Sequence, residues 1–252
     1  NNFAYSVFNG VDFSGKDLLH SNFQYASFDN ANLENIYSLN STFIQVDFTK
    51  IKNKSLAGSD LTYTSFAHSN LSGVNLSGVI LGETNFWKAN LSGVDFTAVS
   101  NASIEGSAFI ETNLSDSNFQ GVDLSSEGIF TAIFKNKAHL RNLSAMDIIE
   151  TLFDKSTNKL LISGEVRGND LVISYVIFNN FAQANLENAN FKNADLRHVG
   201  FHSANLTNAD LSGVDLSNAD LKGANLQGAI LDNAILSNAN LKCINHTICL
   251  DE

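Results

Sequence analysis

A large apolar residue returns at every fifth position along most of this chain, and that regularity restricts the fold more than any other feature of it. In the C-terminal half the fives include Ala184-Asn185-Leu186, Ala189-Asn190-Phe191, Ala194-Asp195-Leu196, Ala204-Asn205-Leu206, Ala209-Asp210-Leu211, Val214-Asp215-Leu216 and Ala219-Asp220-Leu221, and the last clear one is Ala239-Asn240-Leu241. The large residue recurs in this phase from Leu161 to Leu241. From Leu186 onward the residue two places earlier is Ala or Val, and the one between is mostly Asn or Asp. A period of five fits neither the helix (3.6) nor the plain strand (2.0). It suits a coil with flat sides and a corner on each side. The central Leu or Phe and the small residue two before it point inward, and the other three point outward. The small residue is needed because side chains from all four sides share a narrow centre, which larger groups would overpack. Stacked coils should lie about 4.8 Å apart, as paired strands do, with the Leu and Phe residues in continuous interior ladders.

The N-terminal half follows the same rule with more Phe: Phe3, Phe8, Phe13, Leu18, Phe23, Phe28, Leu33, Phe43 and Phe48. Ser38 stands where Leu or Phe is expected, and either Ile36 or Leu39 could turn in to fill the gap. The phase slips after Phe48 and resumes at Leu56, then slips after Phe96 and resumes at Ile104, each time following a Val-Asp-Phe-Thr segment. A three-residue loop bulging at a corner accounts for both slips without loss of the stack. The pattern then passes through Phe109, Leu114, Phe119 and Leu124, with a continuation through Ile129 to Phe134. A larger break covers about Lys135 to Leu160. Within it Ser144 reads as an N-cap and Leu143 and Ile148 as a hydrophobic staple, with Ile148, Ile149, Leu152 and Phe153 as one apolar stripe. One short helix is expected there.

The A(D/N)LXX pattern resembles the pentapeptide-repeat family over nearly the whole chain. The resemblance implies an all-β fold, a right-handed quadrilateral β-helix, here with one short α-helical insertion. The expected parts are an N-terminal block at 1–134 with loops near 49–55 and 97–103, the insertion at 135–160, and a C-terminal block at 161–252.

Composition agrees with such a coil. The chain has 252 residues and no proline, which a fold of short paired segments would exclude because each proline removes a backbone donor. A net charge of −11 argues against a general binder of nucleic acid or anionic membranes. No apolar run reaches the roughly eighteen residues that a membrane span needs. Cys243 and Cys249 are read as two thiols, with a local disulfide as the alternative, so the redox compartment stays open. The chain starts in phase at Asn1-Asn2-Phe3 without Met, and is expected to be a fragment or processed form of something longer.

No nucleophile elbow, phosphate loop, HExxH, CxxC pair or dinucleotide turn is present, so neither a catalytic residue nor a cofactor or metal is expected. Asp210, Asp215 and Asp220 resemble a carboxylate cluster, but a spacing of five sends them to three successive sides. Residues twenty apart should stack on one side. Counting through the first slip as one step places Tyr5, Tyr25, Gln45, His68 and Lys88 in one column, with Trp87, the only tryptophan, beside it. Tyr and Trp are favoured interface anchors, and this column is the candidate contact surface. Lys50, Lys52 and Lys54 in the first slip, and Lys135, Lys137, His139 and Arg141 before the helix, form candidate basic loops. His202, Lys222 and Lys242 form a third, weaker column.

The resemblance implies two uses. Pentapeptide proteins of the quinolone-resistance type mimic duplex DNA and bind DNA gyrase or topoisomerase IV. Acidity, a narrow tower and protruding loops agree with that use, whereas scattered acids and a C-terminal end without a helix pattern do not. In the other use the tower is a targeting or interaction module of a larger bacterial protein, such as an effector secreted into host cells. The expectation is a non-catalytic protein-interaction scaffold of this second kind, with a protein partner and no direct nucleic-acid contact, located in the bacterial cytoplasm or a host cell. The DNA mimic is the alternative. A homodimer stacked end to end stays open, because an uncapped coil presents unpaired backbone groups.

Overall fold

Each five-residue side is a short extended stretch followed by a tight corner. The computed structural model describes residues 1–99, 104, 106–125, 130–134, 159–167, 170–177 and 179–250. The carbonyl of the central residue accepts the N–H three residues on, as in Ser6 to Phe3 (3.1 Å), Val74 to Leu71 (3.0 Å) and Ala224 to Leu221 (2.9 Å). The third residue of each such turn has positive φ, for example Tyr5 (61°) and Asn188 (57°), which is the requirement of a type II turn. Four sides close one coil, and they are labelled A to D after the central residues Phe3, Phe8, Phe13 and Leu18. Each coil pairs in parallel with the next through bridges such as Asn2 with Asn22, Val7 with Ser27, Asp12 with Asn32 and Asp17 with Tyr37. The result is the right-handed quadrilateral β-helix implied by the repeat.

The interior is a set of side-chain ladders. On side A, Phe3, Phe23, Phe43, Phe66, Phe86, Phe109, Phe181 and Phe201 stack ring on ring, with centroids 4.7 to 5.6 Å apart. Leu221 and Leu241 continue that ladder. Between the rings sit the small inward residues, such as Ala184, Ala189 and Ala209, all buried. In the N-terminal half many of these small residues are Ser or Thr, and their buried hydroxyls donate to corner carbonyls: Ser41 to Leu18 (2.6 Å), Thr84 to Leu61 (2.9 Å) and Thr112 to Phe86 (2.7 Å). Burial without such a partner would be costly. At the Ser38 gap, Ile36 is buried and Leu39 faces out, as an ordinary small inward residue and an ordinary corner residue would. Ser38 itself points in and its hydroxyl lies 3.1 Å from that of Thr64, so the gap is filled by a polar pair.

The recurring Asn and Asp before each central residue are not merely solvated. Their Oδ1 accepts the N–H two residues on, as in Ser212 to Asp210 (2.9 Å), Ser217 to Asp215 (2.9 Å) and Glu187 to Asn185 (3.3 Å), which leads the chain into the corner. On side B the amides of Asn90, Asn113, Asn185 and Asn205 also donate to the Asn one coil before, at 2.9 to 3.2 Å.

The interruptions fall at corners and leave the stack in register. At the first slip two 3-10 turns, Phe48–Lys50 and Lys52–Lys54, carry the chain from side B to side C. Their backbone stays paired to the coil below (Lys52 to Ala31, 2.9 Å) and to the one above (Asn75 to Lys54, 2.8 Å). The second slip lies between sides C and D, because Asp95 pairs with Asn118 while Ala108 pairs back to Asn85. The long break enters between sides D and A: Asn113 pairs with Asn185, a separation of 72 where 20 is usual.

The boundaries of that break differ from the sequence expectation. Phe130–Phe134 (β1), Lys159–Arg167 (β2) and Asp170–Ile177 (β3) form an antiparallel sheet in the order β1-β3-β2. The coil pattern therefore neither continues through Phe134 nor resumes at Leu161, but resumes at Asn179. The reason is local: two places before Leu161, Val166 and Leu171 stand Lys159, Gly164 and Asn169, none of them the Ala, Val, Ser or Thr that fills this inward position in most of the coil. Asn179 closes the re-entry point, buried with its amide donating to the Leu124 carbonyl (2.7 Å) and its Oδ1 accepting from Ser107 (3.1 Å). The short helix expected from Ser144 lies outside the described residues. At the far end Cys243 and Cys249 are joined as a disulfide, the alternative left open by their spacing. The turn it closes lays Ile248 and Cys249 against the last coil.

Two outcomes follow from this packing. Phe109→Ala should lower unfolding free energy by about 3–5 kcal/mol in denaturant titrations, because the stacked rings of Phe86 and Phe181 hold the cavity open. Loss of under about 1 kcal/mol would show that the ladder can collapse. The second outcome concerns acid. The hydroxyl of Ser217 holds the Asp215 carboxyl below its ordinary value of 3.8, against partial desolvation and with help from the Ser217 N–H and Arg197. At Asp47 desolvation opposes, but the hydroxyl and N–H of Thr49, with Lys50, outweigh it. Asp12 and Asp210 are lowered as well. A depressed folded value means stability that is present above 3.8 and lost as pH falls through the folded values. Melting temperature should fall progressively below about pH 4, and less steeply in Asp215→Asn, which keeps the Oδ1 acceptor. An unchanged slope in that variant would remove Asp215 from the account.

Candidate interaction surface

The corner after side A carries two outward residues per coil. The first turn residues run Ala4, Gln24, Ile44, Ala67, Trp87, Ile110, Ala182, His202, Lys222 and Lys242, and the left-handed ones run Tyr5, Tyr25, Gln45, His68, Lys88, Glu111, Gln183 and Ser203. Backbone bonds fix this register: Tyr5 to Gln24 (2.9 Å), Gln45 to Ala67 (3.1 Å), His68 to Trp87 (2.9 Å), Lys88 to Ile110 (3.1 Å) and Ser203 to Lys222 (2.8 Å). The column expected from Tyr5 to Lys88 is therefore one corner, and Trp87 belongs to it.

Side chains along it engage one another. The rings of Tyr5 and Tyr25 stack at 4.8 Å, and both are exposed. His68 meets Trp87 edge to face at 4.9 Å, and the Lys88 ammonium lies 4.7 Å over the indole. Glu111 accepts the indole N–H at 3.2 Å and pairs with Lys88 at 3.3 Å. Ala67 is small and almost fully covered, whereas Ile44 and Trp87, one coil to either side, are larger. This difference leaves a groove of about 950 Å³, lined by Tyr25, Ile44, Ala67, His68, Trp87 and Ile110 among others.

Two parts of this surface are not evident from the column count. Glu111, Ile44 and Ile110 were missed; counting through the second slip as well as the first places Glu111 directly after Lys88. The column of His202, Lys222 and Lys242 is not separate, because it continues the same corner beyond the insertion. Lys50, Lys52 and Lys54 lie at the different corner between sides B and C, where Lys50 pairs with Asp47 at 3.6 Å. Lys135, Lys137, His139 and Arg141 lie outside the described residues. Asp210, Asp215 and Asp220 fall on sides C, D and A. Among the described residues no group of His, Cys, Asp and Glu could hold a metal, and no helix is long and apolar enough to cross a membrane.

The corners also differ in backbone. Sides B and C put Gly, Asn or Asp at their left-handed positions, for example Gly10, Asn30, Gly73, Asp116 and Asn188 after side B, and Gly15, Asn35, Gly58 and Asn193 after side C. The corner after side A holds none of these from Tyr5 to Ser203 and only then Gly223, while the corner after side D mixes His20, Tyr63, Glu83 and His198 with Asn40, Gly106, Asn218 and Asn238.

The profile described as "Pentapeptide repeats" matches with 8 copies, over residues 2–36, 43–78, 69–100, 98–126, 180–213 and 209–242. No curated protein sequence matches the chain. Similar solved structures include HetL, a pentapeptide repeat protein involved in heterocyst differentiation regulation in the cyanobacterium Nostoc, at 20% identity and TM-score 0.44, over 96% of this chain and 88% of that one. Trypsin-treated QnrB1, a plasmid-mediated fluoroquinolone resistance protein, is similar at 16% identity and TM-score 0.29, over 95% and 81%. A thylakoid-lumen protein of Arabidopsis thaliana is similar at 23% identity and TM-score 0.20, over 49% and 68%. The repeat profile covers both blocks of the coil, and the chain belongs to the pentapeptide-repeat family.

Proposed function

We propose that this chain is a non-catalytic scaffold for protein recognition and that the corner after side A is its contact surface. The observation that carries the reading is the run of bulky residues at left-handed positions. An L-residue with a β-carbon is disfavoured there by about 1–2 kcal/mol, and Gly or Asn relieves that cost. Tyr5, Tyr25, Gln45, His68, Lys88 and Glu111 stand at these positions where the corners after sides B and C use Gly, Asn or Asp. The corner after side D also keeps His20, Tyr63, Glu83 and His198 at left-handed φ, so this strain lies along the two corners that flank side A, and strain of this kind motivates a functional reading. The exposed tyrosines and the half-buried Trp87 on the same corner are the residue types that dominate protein interfaces.

The wider setting we propose is a targeting module of a larger bacterial protein, such as a secreted effector, which the composition rich in Asn, Ser and Phe favours. A translocation reporter fused to the chain should enter host cells, and retention in the bacterium would count against that setting. The DNA-mimic alternative has less support. Asp123, Asp195 and Asp215 do stack on side D, but Arg197 clamps Asp195 at 2.7 Å, and other carboxylates face elsewhere. Sub-micromolar inhibition of gyrase supercoiling by the folded chain would reverse that ranking.

Tyr25→Asn combined with Trp87→Ala should leave the circular dichroism spectrum intact and cut partner capture at least about tenfold, as expected for interface anchors. Equal capture by the folded double variant would remove this corner from the reading. Gln45→Asn should leave stability unchanged or raise it by up to about 1 kcal/mol, because it relaxes the corner without touching the core. A clear loss of stability would show that Gln45 is held by the fold.

A further inference from the structure

We infer that the corner after side A binds an extended acidic segment of its partner, anchored by one apolar side chain seated over Ala67; this rests on the reading of that corner as the contact surface. The first support is shape. Ile44, Ala67 and Trp87 line the groove from three successive coils, and Ile110 continues the apolar lining beyond Trp87. One aliphatic or aromatic side chain fits such a depression.

The second support is charge. On a body of net charge −11, the same corner continues into His202, Lys222 and Lys242, all exposed. No ion pair holds Lys222 or Lys242 among the described residues. The two acids nearby are already engaged. Glu111 is bound by the Trp87 N–H and by Lys88, while Asp220 accepts from the Lys222 backbone (3.1 Å) and from the Asn240 amide (2.8 Å). A carboxylate-bearing segment therefore meets two cations without an ion-pair partner among the described residues, while Glu111 is neutralised by Lys88 and the one remaining carboxylate, Asp220, sits before the corner with its Oδ1 already engaged. The coil geometry also sets its register. Ala67 lies four coils from His202 and six from Lys242. At about 4.8 Å per coil and 3.3 Å per extended residue, acids about six to nine positions from the anchor would reach the basic stretch.

Fluorescence anisotropy with labelled synthetic peptides tests this. The probe carries one Phe anchor and four Glu placed six to nine residues from it, and the control carries the same residues with the Glu next to the Phe. The probe should bind roughly tenfold more tightly than the control, with affinity falling as salt rises. Lys222→Ala with Lys242→Ala should abolish that preference, and Ala67→Phe should weaken only peptides that carry the anchor. Equal binding of the two peptides, or no binding by either, would overturn the acidic-segment inference. If partner capture still depended on Tyr25 and Trp87 in that event, the contact surface itself would stand. Competition by a short DNA duplex at equal potency would also overturn it, in favour of a polyanion site without peptide register.

Discussion

Parallel backbone pairing between coils is what the rest of this molecule depends on. Each side both donates to and accepts from the coils above and below, with N···O distances such as 2.7 Å from Leu186 to Asn205 and 2.9 Å from Asn205 back to Ala184. Such pairing needs every side to have the same length. A five-residue side leaves room inside for one large and one small residue, and the phenylalanine ladder of side A results when the large residue is aromatic in coil after coil. It also explains where irregularity is tolerated. A loop at a corner displaces only turn residues, whereas one within a side would leave backbone donors and acceptors of two neighbouring coils unpaired.

Much of this was legible in the residues. The fives around Leu186 and Leu211 specify the coil, and the slips at Phe48 and Phe96 are visible as changes of phase. Where legibility failed, the cause was physical. Leu161 and Val166 keep the period of five by coincidence, inside a strand paired antiparallel, and what distinguishes them is Lys159 and Gly164 two places before, where most coil sides hold Ala, Val, Ser or Thr. Ser41 and Thr112 look like stand-ins for Ala until their hydroxyls are seen to close corner carbonyls. The Asn and Asp residues read as solvated because an intraresidue spacing of two carries no sign of the bond that bends each corner. The contact column was found as far as Lys88 and lost at Glu111, since the second slip and the insertion both break the count of twenty. His202, Lys222 and Lys242 therefore read as a separate feature when they prolong the same edge.

The surface account follows from the same constraint. Because inward positions are fully used by packing, chemical individuality is confined to outward ones, and on a given corner these form a straight line at constant spacing. Aromatic residues on one stretch and cations on the next make that line a ruler with distinct marks. An elongated partner segment can be read along it without any deep cavity. Glu111 has a double part, holding the indole edge of Trp87 and the ammonium of Lys88 so that neither is free to wander.

The insertion between Ser125 and Asn179 has a consequence beyond its own structure. Leu124 and Phe181 occupy consecutive sides of an unbroken coil, and the buried Asn179 bridges the two flanks through Leu124 and Ser107. Neighbouring coils thus experience no difference between a direct connection and a long excursion. Loop closure grows only with the logarithm of length, so even a large change in what is carried there alters the closure term by about a kilocalorie per mole. The tower behaves as a chassis with a mounting point. Its load can be enlarged, exchanged or removed in evolution while the edge along the neighbouring corner keeps its spacing.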